Sequence, residues 1–131
     1  MKLYKIIFEN PNFREQTFSD SFGEWKIGDI IDYIATNNLK ITELPTKELA
    51  EISFQSSSEE QFDEVPGSEE FVSRANKSDI TKPVIAINYS DGIFLADGNH
   101  RLWKAYHLGL KTIKGFIIDE DELHQNVPKI E

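Results

Sequence analysis

One short turn carries the side chains with the clearest chemical potential. It consists of five consecutive residues, Asp97, Gly98, Asn99, His100 and Arg101. Arginine offers a planar set of donors that matches phosphate or carboxylate, and histidine can donate a hydrogen bond or carry a proton near neutral pH. Asp97 could cap the following helix, or hold His100 or a metal ion. The turn is therefore a candidate anion site.

The turn lies between a predicted strand and a predicted helix. The apolar residues 93–96 precede it, and residues with helical spacing follow it, with Gly109 just past the predicted helix end. A glycine at position 98 lets the chain bend sharply, and the N–H groups and dipole of the first helical turn favour an anion. The spacing alone also allows a plain tight turn, in which Arg101 pairs with a surface carboxylate.

The rest of the chain predicts an α+β fold, a small mixed sheet with packed helices. Stretches with a period of two alternate with stretches with a period of 3.6 residues. The predicted strands are residues 3–8, 39–43, 84–89, 93–97 and 112–118. The predicted helices are residues 27–37, a segment from residue 45, Ser68 to about Lys77, and the segment after Gly98.

Three segments are predicted to lie outside the regular elements. Residues 13–25 are polar with scattered aromatic side chains, and we interpret them as an irregular, partly packed segment. Residues 55–67 combine serines, acidic side chains and a Pro-Gly pair, a composition that predicts an exposed, mobile loop without the spacing of a calcium site. Residues 127–131 are expected to fray at the end of the chain.

The turn and its surroundings resemble the ParB/sulfiredoxin-like superfamily. Members of this superfamily often carry a run with the pieces PIxV, DG, DGHHR, A and LG. The matching residues here are Pro83-Val84, Asp91-Gly92, Asp97 to Leu102, Ala105 and Leu108-Gly109. Residues 39–49 are similar to the opening IxxLxPxxxL of the same domain. The resemblance covers about residues 39–123 of a single domain, 1–131, with residues 1–38 as an extension. Asn99 departs from the pattern, since many relatives have a histidine there.

The resemblance implies that this turn binds a phosphate group, usually that of a nucleotide. Phosphate would be bound by Gly98, Asn99, His100 and Arg101, and catalysis would involve His100, Asp97 and Glu48. The implied ligands are CTP, ATP or ADP, with Mg²⁺ as a companion ion that Asp97 could orient. Glu48 matches a glutamate base of the serine-kinase branch only loosely, and a glutamate at a helix start more simply complements the dipole. Sulfiredoxin chemistry is excluded because it needs a cysteine, and the chain has none.

Composition narrows the class of function. The chain has 131 residues and a formal net charge of −9, so a long nucleic acid would be repelled overall. The sequence has no apolar run of membrane-spanning length and no signal-peptide pattern, and with its lack of cysteine this favours a cytoplasmic location without a membrane partner.

Two classes of function remain open. The first is a phosphate- or nucleotide-binding domain that acts on a nucleotide or a phosphorylated small molecule, as a hydrolase or phosphotransferase if it is an enzyme. The second is an inactive acidic interaction module with a protein partner, of the immunity, anti-defence or DNA-mimic type.

Overall fold

The computed structural model describes residues 13–55 and 68–131. They form an α+β fold with a small mixed sheet, as the sequence predicted, and this sheet has four strands. A separate two-stranded sheet was not predicted. The strands are β1 (Thr17–Asp20), β2 (Gly23–Lys26), β3 (Thr42–Pro45), β4 (Val84–Tyr89), β5 (Gly92–Asp97) and β6 (Thr112–Asp119). The α-helices are α1 (Ile27–Thr36), α2 (Thr46–Gln55), α3 (Glu69–Lys77), α4 (Asn99–His107) and α5 (Glu120–Asn126), and a 3-10 turn covers Phe13–Glu15.

Two predicted segments lie outside the described residues. They are the strand over residues 3–8 and residues 56–67 of the predicted mobile loop. Within residues 13–55 and 68–131, none of the helices has the length and apolar character needed to cross a bilayer.

The four-stranded sheet has the order β3-β6-β4-β5. The central strands β4 and β6 are parallel, and the outer strands β3 and β5 are antiparallel to their neighbours. The apolar run that begins β4 is buried, as expected for a strand covered on both faces. The chain passes from β5 to β6 through α4, so the candidate turn lies at the beginning of this crossover.

Alternate residues of β4 face two separate cores. Ile85 and Ile87 join the core formed with α1, α5 and the β1–β2 hairpin. Val84 and Ala86 join the core on the other face, which includes Leu102 of α4 and residues of α2. Helix α3 packs against α4 on this second face. The candidate turn therefore belongs to the layer formed by α2, α3 and α4.

The predicted helices agree with the structure, and one strand is displaced. Helix α3 begins as predicted after Ser68, whose hydroxyl accepts a hydrogen bond from the amide of Phe71 at 3.2 Å. The strand predicted at residues 39–43 lies instead at Thr42–Pro45. Pairing with β6 determines these bounds, since Thr42 lies opposite Gly115 and Pro45 lies opposite Thr112.

The prediction that residues 13–25 are irregular is wrong. This segment forms most of the β1–β2 hairpin, in which Phe18 lies opposite Trp25. The carboxylate of Asp20 accepts a hydrogen bond from the amide of Phe22 at 2.8 Å and so stabilises the connecting turn. The side chain of Trp25 is fully buried in the core. Burial of aromatic side chains on one face stabilises strands whose other residues are polar.

The expectation that residues 127–131 fray is also wrong. Val127 is 3% exposed, and its carbonyl accepts a hydrogen bond from the indole N–H of Trp25 at 3.1 Å. The amide of Ile130 donates to the carbonyl of Glu24 at 2.8 Å. The hairpin thus holds the residues that follow α5.

A polar cluster joins the hairpin to β4 and α5. The carboxylate of Asp20 accepts a hydrogen bond from the Tyr89 hydroxyl at 2.5 Å and lies 2.7 Å from Nε2 of His124. The imidazole of His124 stacks on Trp25 with a centroid distance of 5.3 Å. Burial alone would raise the pKa of Asp20, but the hydrogen bonds from His124, Tyr89 and the amide of Phe22 together lower it. The ionised form of Asp20 is therefore favoured by folding.

We predict that Asp20 makes the free energy of unfolding fall in acid. A carboxyl group whose pKa is lowered by folding stabilises the protein above its unfolded pKa of about 3.9, and this contribution is lost as pH falls through the folded value. Denaturant unfolding from about pH 7 to about pH 3 should show an acid loss that is smaller in Asp20→Asn. Asp121→Asn, at an exposed position of α5, is the control. An equal acid loss in wild type and Asp20→Asn would contradict the prediction.

Candidate functional site

The predicted turn lies where β5 ends and α4 begins. Asp97 is the last residue of β5, Asn99 is the first residue of α4, and Gly98 is the N-cap between them. Gly98 has φ 109° and ψ 29°, a backbone conformation that residues with a Cβ rarely adopt. The amide of Gly98 donates a hydrogen bond to the carboxyl of Asp97. Because glycine has no side chain, the N-cap residue provides no side-chain cap for the first turn of α4.

Gly98 also permits a close approach to the central strand. A Cβ atom at position 98 would lie 2.5 Å from Cγ1 and 2.9 Å from Cβ of Val84. Val84 is the first residue of β4 and is fully buried. Any side chain at position 98 would therefore push the start of α4 away from the sheet. The position that a Cβ would occupy at Gly98 is filled by Val84, so the absence of a side chain lets the turn lie close to β4.

Asp97 and Arg101 form an ion pair across the first turn of α4. Nη2 of Arg101 lies 3.3 Å from Oδ2 of Asp97, and the side chains are 8% and 12% exposed, respectively. Burial raises the pKa of Asp97 to about 6, although the charge of Arg101 and the amide of Gly98 both act to lower it. The two charges are largely removed from water, and loss of either partner would be costly.

His100 packs against α3. Its ring centroid lies 4.6 Å from that of Phe71, with the ring planes at 33°. Phe71 is 1% exposed, whereas His100 is half-buried. The imidazole therefore has one side in a packed contact, which restricts the directions in which its nitrogens can donate.

The aromatic contacts continue along α4. Trp103 is half-buried, and its ring lies 5.2 Å from that of Phe54 and 5.3 Å from that of Phe71. His107 is exposed and stacks on Trp103 with a centroid distance of 4.2 Å. These contacts fix the position of α4 against α2 and α3.

Lys104 makes a contact that the sequence analysis missed. Its Nζ donates to the carbonyls of Asn76 at 3.0 Å and of Ser78 at 2.8 Å. These carbonyls lie at the C-terminal end of α3, where a cation complements the helix dipole. The contact holds α3 against α4 and so keeps Phe71 beside His100. Local spacing carries no signal for it, because the partners are 28 and 26 residues away.

The structure places the other predicted site residues in different surroundings. Asn99 is half-buried in the first turn of α4. Glu48 lies in the first turn of α2, and its side chain is exposed, so its catalytic role stays a prediction. Among residues 13–55 and 68–131, no group of three or more His, Asp or Glu side chains could hold a metal ion. The binding of Mg²⁺ stays a prediction as well.

We predict that Gly98→Ala destabilises the protein more than Gly109→Ala. Both glycines have positive φ, 109° and 76°, so each change costs roughly 1–2 kcal/mol of backbone strain. At Gly109 nothing lies within 4 Å of the new Cβ, whereas at Gly98 it would overlap Val84. Denaturant unfolding should show the larger loss for Gly98→Ala, and adding Val84→Ala should recover part of the difference in a double-mutant cycle. Equal losses at the two glycines would show that the contact with Val84 is unimportant.

Asp97 should have the opposite effect on pH dependence to Asp20. A carboxyl group whose pKa is raised by folding contributes stability that is complete below its unfolded pKa of about 3.9 and is lost as pH rises through the folded value. With a folded pKa of about 6, this loss should amount to about 2–3 kcal/mol between about pH 4 and about pH 7, and Asp97→Asn should lack it. Carbon-detected NMR of the Asp97 carboxyl is the direct check. A titration midpoint near the ordinary value of about 3.9 would contradict the prediction.

Comparison with family models gives no match, and neither does comparison with curated proteins. Comparison with solved structures finds the crystal structure of sulfiredoxin from Arabidopsis thaliana. The match has a TM-score of 0.38 and 20% sequence identity, and it covers 64% of this chain and 92% of that chain. The likeness concerns the fold.

Proposed function

We propose that the first turn of α4 binds a phosphate group, most simply the phosphate of a nucleotide. The observation that supports this proposal is an arginine in the first turn of a helix whose N-cap is a left-handed glycine. The helix dipole and the guanidinium charge both favour an anion at this position. The sequence resemblance to the ParB/sulfiredoxin-like superfamily points to the same turn.

Each residue of the turn has a defined role in this proposal. The guanidinium of Arg101 binds phosphate oxygens with its planar set of donors. His100 donates a hydrogen bond to the phosphate and, if the phosphate is hydrolysed or transferred, gives a proton to the leaving oxygen. Gly98 holds the turn in the required conformation, and Asn99 contributes a side-chain amide. Magnesium would arrive with the nucleotide, and we assign it no resident site.

A second candidate function is the inactive acidic interaction module. One observation favours it, namely that Arg101 already pairs with Asp97 at a buried position. In such a protein the ion pair would be purely structural, and a protein partner would bind at another surface. The net charge of −9 is also typical of modules that mimic nucleic acid or bind basic partners. The two functions differ in whether the chain binds phosphate at all.

We predict that wild-type protein binds at least one of CTP, ATP, ADP and inorganic phosphate, and that Arg101→Ala weakens this binding. A hydrogen bond to a charged group contributes roughly 1.5–3 kcal/mol, so the loss should be about tenfold to a hundredfold. Calorimetric titrations with and without magnesium measure it. Arg101→Lys, which keeps the charge and loses the planar fork, should give an intermediate loss.

The matched control is Arg14→Ala. Arg14 pairs with Asp32 of α1 at 3.0 Å, in the layer on the opposite side of the sheet, so this variant removes the same charge away from the turn. Circular dichroism establishes that each variant is folded. If the wild type binds none of the four ligands at millimolar concentration, the phosphate site is excluded and the interaction module becomes the better account. Equal binding by wild type and Arg101→Ala would exclude the role of Arg101.

A further inference from the structure

We propose that Asp97 is an internal competitor of the phosphate ligand. Its carboxylate accepts a hydrogen bond from Nη2 of the Arg101 guanidinium, and an incoming phosphate must take over that contact in order to bind. This inference rests on the proposed phosphate site at the first turn of α4. It gives Asp97 a regulatory role in place of the catalytic role that the sequence suggested.

The competition follows from the chemistry of the two groups. A carboxylate and a phosphate both bind the same planar face of N–H donors on a guanidinium. Nη2 of Arg101 lies 3.3 Å from Oδ2 of Asp97. In this proposal the phosphate and the carboxylate therefore compete for the same nitrogen. Two negative groups beside one guanidinium also repel one another, most strongly where water is scarce.

The position of Asp97 is set by the sheet and leaves its carboxylate little choice of partner. Asp97 lies opposite Ile85 of β4, and the adjoining residue of that strand is the buried Val84. Within residues 13–55 and 68–131, the amide of Gly98 and the guanidinium of Arg101 act on the carboxyl. At this end of β5 the carboxylate of Asp97 lies within reach of Arg101.

Burial acts on the internal pair in two ways, because it reduces screening by water and salt and also disfavours the ionised form of Asp97. The side chains of Arg101 and Asp97 are 8% and 12% exposed. A pair of opposite charges at such a position is weakly screened, whereas an incoming phosphate must lose its own hydration. The measured affinity of a site falls in proportion to the fraction of molecules in the binding-competent state, so a pair formed in nine molecules of ten would weaken binding about tenfold.

A catalytic or metal-holding Asp97 would behave in the opposite way. In either of those roles the carboxylate helps the ligand, and its loss leaves phosphate binding unchanged or weaker. A competing carboxylate hinders the ligand, and its loss strengthens binding. General damage to the structure would not strengthen binding either, so the direction of the change separates the competitor from all three alternatives.

The experiment is a calorimetric titration of wild type, Asp97→Asn and Asp121→Asn with inorganic phosphate. Asparagine keeps the shape of the side chain and removes its charge. Asp121 is exposed on α5, so Asp121→Asn makes the same change in net charge away from Arg101. We expect phosphate to bind Asp97→Asn about tenfold more tightly than wild type, and Asp121→Asn within about twofold of wild type. In an Arg101→Ala background, the gain from Asp97→Asn should disappear.

The outcomes separate this inference from the proposed function. Measurable binding by wild type that becomes tighter in Asp97→Asn supports the competitor, whereas absence of binding by wild type counts against the phosphate site itself. Binding by wild type that is equal to or tighter than that of Asp97→Asn overturns the competitor and leaves the phosphate site in place. Absence of binding by both overturns the phosphate site and the competitor together. If circular dichroism shows that Asp97→Asn is unfolded, Asp97→Ser also removes the carboxylate and is judged by the same results.

Discussion

The buried ion pair between Asp97 and Arg101 joins the end of β5 to the start of α4. Removing two charges from water costs free energy, and a well-fixed geometry lets the attraction of Arg101 offset part of that cost, although burial still raises the pKa of Asp97 to about 6. The strand and the helix provide this geometry, because the residues lie on either side of Gly98 and four positions apart. The guanidinium of this pair lies at the start of a helix and attracts an anion. The carboxylate beside it repels the same anion.

The geometry of the pair depends on the central strand β4. Its first residue, Val84, occupies the space that a side chain at Gly98 would need, and the next residue, Ile85, lies opposite Asp97. The other face of the same strand packs on the core that contains Trp25 and α1. The layer that supports the sheet and the layer that carries the turn therefore meet at β4, and the turn depends on packing from both sides.

Local signals in the sequence predicted the turn, the strands β4 and β5 on either side of Asp91-Gly92, and most of the helices. Gly98, the Asp91-Gly92 pair and the cap at Ser68 each act through a few neighbouring residues, so a short stretch is enough to identify them. The hairpin of β1 and β2 was missed because its stability comes from the burial of Trp25 and from Asp20, whose partner His124 is 104 residues away.

The partner of Arg101 could not be identified from sequence spacing either, although it lies only four residues away. A spacing of four residues permits a pair with Asp97, but a pair with a surface carboxylate was equally compatible with the sequence. Burial beside β4 selects Asp97, and burial depends on how α4 packs against the sheet. Sequence spacing therefore predicted the residues of the candidate site, whereas their interaction had to be taken from the fold.

The most direct measurement is an amide-resolved NMR titration of ¹⁵N-labelled protein with inorganic phosphate. If the first turn of α4 binds phosphate, the amide signals of Asn99, His100 and Arg101 should shift and saturate together. The signal of Gly109, which lies beyond the other end of α4, should stay in place. Saturable shifts confined to other parts of the chain, or no saturable shifts at all, would contradict the proposal that this turn is a phosphate site.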